Sequence, residues 1–247
     1  MRQRAGNYLD ICRIVCYTGK KGGISMKTVL MLDNVQRTPL PPQFARDDVR
    51  YPPALVRRFL EEYTQEGDVV FDPFAGFGTT LLVAEKLGRI GLGLEYVPKR
   101  AAYIAGLLSH EDHIICGDAR RLAEYPLPVL DFSITSPPFM TKNDHDEYPF
   151  AAYSVTGQGY EDYLQDIQSI YRQLAEKLRP GGYAVIEASN IQKSGTLTTL
   201  AWDIAKSVDA VLPLQKEFVV SWTKDGAKEG YGFGYDHSYC LVFQKPL

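Results

Sequence analysis

The sequence has few cysteines, no long apolar run and no excess of positive charge. Only four of its 247 residues are cysteine and none form a Cys-x-x-Cys pair, so we expect neither a disulfide scaffold nor a metal site. No segment approaches the roughly 18 apolar residues of a membrane span, and no apolar signal core is present, which predicts a cytoplasmic protein without membrane contact. Lys and Arg number 27 and Asp and Glu 30, a balance that excludes a wholly basic surface but allows a local basic patch.

The composition is that of one folded domain. Hydrophobic residues make up 45% and charged residues 23%, which excludes disordered, collagen-like and coiled-coil chains. Residues 1–25 lack a helix or strand period, and the codons of Lys20 to Gly23 can resemble a bacterial ribosome-binding site just before Met26. We therefore interpret residues 1–25 as a translated leader or disordered arm, with a genuine N-terminal arm as the alternative. Residues 26–247 are predicted to form a single domain.

From Pro52 onward, short apolar strands alternate with helical segments. Strands are predicted at 69–72, 90–94, 113–116, 129–135, 183–187, 218–222 and 239–243. Helices are predicted at 52–63, 79–87, 98–108, 160–178 and 197–211. This alternation predicts an α/β fold with a mostly parallel sheet covered by helices on both faces. In such sheets, ligands bind beyond the carboxyl ends of the strands.

Three acidic residues follow three successive strands. Asp72 opens a turn in which Gly76 and Gly78 allow backbone to approach a ligand closely. Glu95 ends the second strand, where an acid can accept hydrogen bonds from ribose hydroxyls. Asp118 ends the third strand, where an acid can accept a hydrogen bond from an adenine amino group. The third glycine of a dinucleotide fingerprint and the lysine of a P-loop are both missing. Each acid alone is typical of a helix cap, but together they suit an adenosyl ligand with a free amino-acid tail.

The segments Asp72-Pro73-Phe74-Ala75-Gly76-Phe77-Gly78-Thr79-Thr80 and Thr135-Ser136-Pro137-Pro138-Phe139 resemble those of class I S-adenosylmethionine-dependent amino-methyltransferases of nucleic acids. The chain is most similar to the cytosine N-4 and adenine N-6 DNA methylases, over roughly residues 44–245. The resemblance implies a Rossmann-like methyltransferase domain whose seven-stranded sheet ends in an antiparallel strand, and S-adenosyl-L-methionine as cofactor. The cofactor-binding residues that it implies, together with the strand-end acids, are Asp72, Phe74, Ala75, Gly76, Gly78, Thr79, Thr80, Glu95, Tyr96, Asp118 and Ala119.

This chain departs from the family pattern at two places. Asp47-Asp48 stands where His-Pro often precedes the Arg-Tyr-Pro segment, and Ser238 stands where an acid is expected after His237. These departures concern the contact with the cofactor's carboxylate and the detail of the last strand. The cofactor motif also precedes the catalytic motif, which is the reverse of the order common in small DNA methylases.

The second motif suits methyl transfer to an exocyclic amine. Such an amine is a poor nucleophile because its lone pair is delocalised into the base, and two hydrogen-bond acceptors can localise that pair. The Ser136 hydroxyl supplies one acceptor, and the Pro137 carbonyl, fixed by the rigid pair with Pro138, supplies the other. Phe139 offers a face on which an extruded base can stack. These four residues are the predicted catalytic group.

Several alternatives stay open at this point. The family's adenine enzymes usually carry Asp or Asn where Ser136 stands, so serine favours cytosine N-4 in DNA. No cysteine follows a proline, which excludes a carbon-5 cytosine methylase. The acidic balance and the lack of a long insertion also suit an enzyme acting on ribosomal or transfer RNA. A small-molecule methyltransferase and a silent cofactor-binding subunit are weaker alternatives, and residues 140–159 form either a lid over a flipped base or a surface flap.

Overall fold

The computed structural model describes residues 27–34, 38–47, 50–144, 148–152, 158–223 and 235–247. The segment interpreted as a leader, residues 1–25, lies outside these ranges, as do parts of the 140–159 loop. Among the residues described, no helix has both the length and the apolar character that a membrane span needs.

In the part of the chain that the structure describes, eight strands form the central sheet, in the order β1-β9-β10-β6-β5-β2-β3-β4. They are β1 Val29–Asp33, β2 Val69–Asp72, β3 Ile90–Glu95, β4 Ile114–Cys116, β5 Leu130–Thr135, β6 Leu178–Ala188, β9 Leu214–Thr223 and β10 His237–Gln244. β10 runs antiparallel to both β6 and β9, and the other pairs are parallel. The α/β class, the seven predicted strands and the antiparallel closing strand are confirmed.

β1 is an eighth strand that the sequence analysis did not predict. It pairs with β9 at the outer edge of the sheet, and its side chains alternate between exposed and half-buried. Met31 is 73% exposed, so only Leu30 and Leu32 pack on the core. A five-residue edge strand with one half-buried face carries too weak a hydrophobic signal to stand out.

A separate two-stranded sheet interrupts the predicted helix 197–211. β7 Ile191–Lys193 pairs with β8 Thr196–Thr198, and the helix begins only at Leu200. The prediction was wrong at its start because Thr196 and Thr198 are β-branched and follow a tight turn at Ser194 and Gly195, where both φ angles are positive.

Within the described ranges, five α-helices and four short 3₁₀ helices cover the sheet. The α-helices are α1 Pro53–Tyr63, α2 Thr79–Lys86, α3 Pro98–Ala105, α4 Tyr160–Lys177 and α5 Leu200–Asp209. The 3₁₀ helices are Pro42–Asp47, Glu111–His113, Ala119–Glu124 and Pro149–Ala151.

Alternating strand residues divide the core between the two faces. Val70 and Val185 pack with α1 and α2 on one face, whereas Phe71 and Ile186 pack with α4 and α5 on the other. A smaller cluster joins α2 to α3.

The candidate site lies at one edge of the sheet. Because β2, β3, β5 and β6 are neighbouring parallel strands, their carboxyl ends meet at that edge.

Candidate functional site

The turn after β2 is a glycine loop that leads into α2. Gly76 and Gly78 have φ angles of +58° and +80°, and Gly78 is the N-cap of α2. A Cβ on Gly78 would lie 2.9 Å from the Ile104 side chain, so α3 also requires glycine there. The Ala75 amide donates to the Leu94 carbonyl at 2.8 Å and ties the loop to β3.

Asp72 is buried at the site, where the residue is 1% exposed and accepts four hydrogen bonds. Its Oδ1 accepts hydrogen bonds from the Phe74 amide at 2.9 Å and the Thr135 hydroxyl at 2.6 Å. Its Oδ2 accepts from the hydroxyls of Thr80 at 2.7 Å and Tyr51 at 3.1 Å. Burial raises the pKa of this carboxyl, and the four donors act against that shift. Asp72 thus joins β2, α2, β5 and the segment before α1.

Glu95 fastens the glycine loop to the turn after β3. Its Oε2 accepts the Gly76 amide at 2.9 Å, and its Oε1 accepts the Val97 amide at 2.8 Å. The residue is 6% exposed, and desolvation raises its pKa. Since a carboxylate has about four acceptor positions, each oxygen retains one for a further donor such as a hydroxyl. Tyr96, the next residue, is an exposed aromatic side chain.

Asp118 carries a cationic partner that was not predicted. Its carboxylate caps the 3₁₀ helix Ala119–Glu124 through the Arg120 amide at 2.9 Å and pairs with the Arg120 guanidinium at 2.6 Å. Its own amide donates to the Tyr125 hydroxyl at 2.8 Å. The hydrogen bonds from the Arg120 side chain compete with the predicted contact to an adenine amine, which stays a prediction. Ala119 is buried beside it.

The predicted catalytic motif begins where β5 ends, between β2 and β6. Ser136 is half-buried and precedes a proline, so its backbone is restricted to extended conformations. Pro137 is buried, whereas Pro138 and Phe139 are half-buried. The Thr135–Asp72 hydrogen bond links this turn directly to the glycine loop. The structure therefore brings the two sequence motifs together at one edge of the sheet.

An aromatic stack that the sequence analysis missed supports the glycine loop. Phe150 lies between Phe74 and Tyr163, with ring centroids 5.5 and 5.2 Å apart and interplanar angles of 21° and 8°. The Tyr148 hydroxyl donates to Asp166 at 2.7 Å. Residues 148–152 of the expected lid or flap thus return to the core, while residues 145–147 and 153–157 lie outside the described ranges. The aromatic residues in that loop were the available signal.

Two predicted ligand groups have different surroundings. Thr80 is fully buried and donates its hydroxyl to Asp72, so the structure gives it a positioning contact. Thr79, one residue earlier in α2, is half-buried.

Ser238 stands where the resemblance leads us to expect an acid. It is buried, and its hydroxyl accepts the Trp222 indole N–H at 3.2 Å.

Two further expectations concern a metal site and the cysteines. Within the described ranges, His110, Asp112 and His113 bring one ligand atom each within 4.8 Å of one another, just before β4. The absence of a metal site therefore stays a prediction. Cys240 is buried in the core, and burial raises the pKa of its thiol, whereas Cys116 is exposed.

Comparison with known proteins supports the resemblance noted from the motifs. Residues 17–105 match the model of a family described as DNA methylase. The type II methyltransferase M.BamHI of Bacillus amyloliquefaciens is 54% identical over 41 residues, which are 17% of this chain and 10% of that protein. The chain therefore matches only about a tenth of this curated relative's length. These matches confirm the resemblance to the amino-methyltransferases of the N-4 and N-6 DNA methylase type.

Solved structures share the fold at low sequence identity. TrmN from Thermus thermophilus has a TM-score of 0.57 and 19% identity, over 83% of this chain and 52% of its own. A TehB-like SAM-dependent methyltransferase from Corynebacterium glutamicum has a TM-score of 0.53 and 15% identity, over 82% of this chain and 92% of its own. The predicted Rossmann-like methyltransferase fold is confirmed.

Proposed function

We propose that this chain is an S-adenosyl-L-methionine-dependent N-methyltransferase that methylates an exocyclic amine of a nucleic-acid base, with cytosine N-4 in DNA as the favoured target. One observation carries the proposal. The glycine loop after β2 and the Ser136–Phe139 turn after β5 meet at the carboxyl edge, joined by the hydrogen bond from Thr135 to Asp72. A cofactor loop and an amine-binding turn must be adjacent for direct methyl transfer. We also propose residues 26–247 as a single methyltransferase domain.

The residues at the strand ends fit an adenosyl ligand with an amino-acid tail. Glu95 retains acceptor positions for two ribose hydroxyls while it holds the Gly76 amide. Asp72 is saturated by internal donors, so we assign it the role of shaping the loop around the ligand's tail. Tyr96 and Asp118 flank the proposed adenine position. When bound, S-adenosyl-L-methionine supplies an electrophilic methyl group on a sulfonium.

The chain's own residues prepare the acceptor nitrogen. The Ser136 hydroxyl and the Pro137 carbonyl accept the two amine hydrogens and draw the nitrogen lone pair out of conjugation, while Phe139 stacks on the base. These contacts strengthen as positive charge develops on the nitrogen, so they stabilise the transition state more than the bound substrate. The proposed reaction is direct in-line transfer, in which the amine nitrogen forms its bond to the methyl carbon as the carbon–sulfur bond breaks. The neutral thioether is the leaving group, and the nitrogen releases one proton to solvent. No covalent enzyme–base intermediate is proposed, since no cysteine follows a proline in this sequence.

The choice of target base and nucleic acid depends on three features of the chain. Serine at position 136 favours cytosine over adenine, while similarity to DNA methylases favours DNA. The lack of a long insertion that could serve as a DNA target-recognition domain favours the alternative of an RNA amino-methyltransferase. Adenine N-6 methylation in DNA is the other close alternative.

Labelled methyl transfer separates these possibilities. The protein is incubated with methyl-labelled S-adenosyl-L-methionine and with DNA, total RNA or a metabolite extract, and product nucleosides are identified by mass spectrometry. We expect 4-methylcytosine in DNA. 4-Methylcytidine would move the substrate to RNA, methyladenine alone would overturn the cytosine assignment, and 5-methylcytosine would overturn the mechanism. Label in a metabolite, or in nothing, would reject the nucleic-acid proposal.

Ser136→Ala tests the proposed amine contact. We expect turnover to fall at least tenfold, because the loss of one acceptor to a developing charge costs about 1.5–3 kcal/mol. Cofactor affinity, measured by calorimetry, should stay unchanged because Ser136 lies on the base side of the site. Unchanged turnover would contradict the assignment, and the neighbouring Phe139→Ala serves as the contrast, since lost stacking should raise the substrate KM.

A further inference from the structure

The β7–β8 hairpin has a place in the molecule that the proposed reaction does not explain. It leaves the carboxyl end of β6 directly beside the proposed site and pairs only with itself, outside the eight-stranded sheet. Ser194 and Gly195 at its turn have φ angles of +51° and +78°. Two consecutive positive φ angles are the pattern of a two-residue type I′ hairpin, which matches the strand twist and fixes the register.

The base of the hairpin is buried, but its tip is not. Ile191 and Thr198 are buried, and the Asn190 side chain accepts the Ala201 amide at 3.1 Å. By contrast, Gln192, Lys193, Ser194 and Gly195 are all exposed. The tip therefore adds nothing to the core, and the fold alone does not account for its polar side chains.

Two contacts join this hairpin to the chain that leaves the catalytic turn. The Lys142 amide donates to the Thr198 hydroxyl at 3.1 Å, and the Lys193 ammonium lies 2.7 Å from Asp144. Lys142 follows Phe139 by three residues, so its position is fixed relative to the proposed base-stacking face. The hairpin and the 140–144 segment thus form one continuous surface beside Phe139.

Two ammonium groups on that surface are accessible. The side chains of Lys193 and Lys142 are 52% and 45% exposed. Lys193 pairs with Asp144, and Lys142 lies 3.7 Å from Asp203. Partly exposed ion pairs of this kind contribute little to stability, so a phosphate can compete with Asp144 and Asp203 for the two ammonium groups.

We propose that the tip of the β7–β8 hairpin, together with Lys142, binds the phosphate backbone of the nucleic-acid substrate next to the target base. The inference rests on the proposed function, since the ligand is that same substrate. Lys142 and Lys193 each contact a phosphate, and Gln192 and Ser194 supply neutral hydrogen-bonding groups at the tip. Each ammonium already has a carboxylate partner, so the two lysines position the strand by exchanging these partners for phosphates.

The test uses Lys142→Ala and Lys193→Ala in the full chain, with Lys193→Arg as the conservative variant. Lys86→Ala is the matched control, since Lys86 is exposed in the last turn of α2 at the opposite edge of the sheet. Binding of duplex DNA, single-stranded DNA and RNA oligonucleotides is measured by fluorescence anisotropy at several salt concentrations. Calorimetry with S-adenosyl-L-methionine and thermal melting show whether each variant keeps its fold and cofactor affinity.

We expect each alanine variant to bind the preferred oligonucleotide about 3- to 10-fold more weakly at low salt. Each should also reduce the slope of log affinity against log salt by about 0.7–0.9, the contribution of one phosphate contact. Lys193→Arg and Lys86→Ala should retain the wild-type slope. Wild-type slopes in both alanine variants of a protein that methylates nucleic acid would overturn this inference alone. A wild-type protein that neither binds nor methylates any nucleic acid would overturn the proposed function with it.

Discussion

Glu95 organises the glycine loop through its contacts with backbone amides. The sequence predicted that Asp72, Glu95 and Asp118 end strands. In the structure Asp72 and Glu95 are the last residues of β2 and β3, whereas Asp118 lies two residues after β4 and caps a 3₁₀ helix. Their hydrogen-bond partners could not be predicted from the sequence. Thr135 is 63 residues from Asp72 in the chain, and only the sheet order brings the two residues together. The Asp118–Arg120 pair is local, but arginine two residues after an acid is too common on solvated surfaces to predict an ion pair.

Glu95→Ala should weaken the binding of S-adenosyl-L-methionine by at least tenfold. Two hydroxyl donors to a carboxylate contribute about 1.5–3 kcal/mol each, and the variant also releases the Gly76 amide. Calorimetry gives the affinity, and thermal melting shows how much of the loss comes from a loosened loop. Glu95→Gln, which keeps the size and one acceptor, should lose less. Affinity equal to that of the wild type in the alanine variant would remove Glu95 from the proposed ribose site.

At the scale of elements, strands with a clear apolar run were predictable, whereas β1 and the β7–β8 hairpin were not. β2 and β5 are apolar runs bounded by turn residues, so their type and position follow from the sequence. β1 and the β7–β8 hairpin bury little surface, and tertiary pairing decides their conformation. The same reason explains why the burial of residues 148–152 was not predicted. The Phe150 ring is buried because it packs against Phe74 and Tyr163, which belong to elements distant in the chain.

Phe150→Ala should destabilise the protein by about 3–5 kcal/mol, because truncation of a buried phenylalanine removes its packing and leaves a cavity. Turnover should also fall, since Phe74 loses the ring that supports the glycine loop. Urea unfolding and steady-state kinetics measure the two effects. Phe150→Leu, which retains most of the apolar volume, should lose less stability. A loss below about 1 kcal/mol in the alanine variant would show that Phe150 is not packed between Phe74 and Tyr163 in solution.

At the scale of the whole molecule, the proposed site and the β1 edge of the sheet are separated by several strands. The cofactor loop and the catalytic turn follow β2 and β5, whereas β1 lies at one end of the sheet, with β9, β10 and β6 between it and β5. A change at the N-terminal side can therefore alter the stability of the fold without altering the geometry of the site. The proposed domain boundary can be tested by measuring the two effects separately.

Deletion of residues 1–25 should leave both the melting temperature and the affinity for S-adenosyl-L-methionine unchanged, because the first strand within the described ranges is β1, which begins at Val29. Deletion of residues 1–34 is the contrast, since it also removes β1. That larger deletion exposes β9 and removes the packing of Leu30 and Leu32, which should cost about 2–4 kcal/mol for two partly buried leucines. Cofactor affinity per folded molecule should still hold, because β1 contributes nothing to the proposed site. A large stability loss on removal of residues 1–25 alone would mean that the domain begins before Met26, and the leader interpretation would then be wrong.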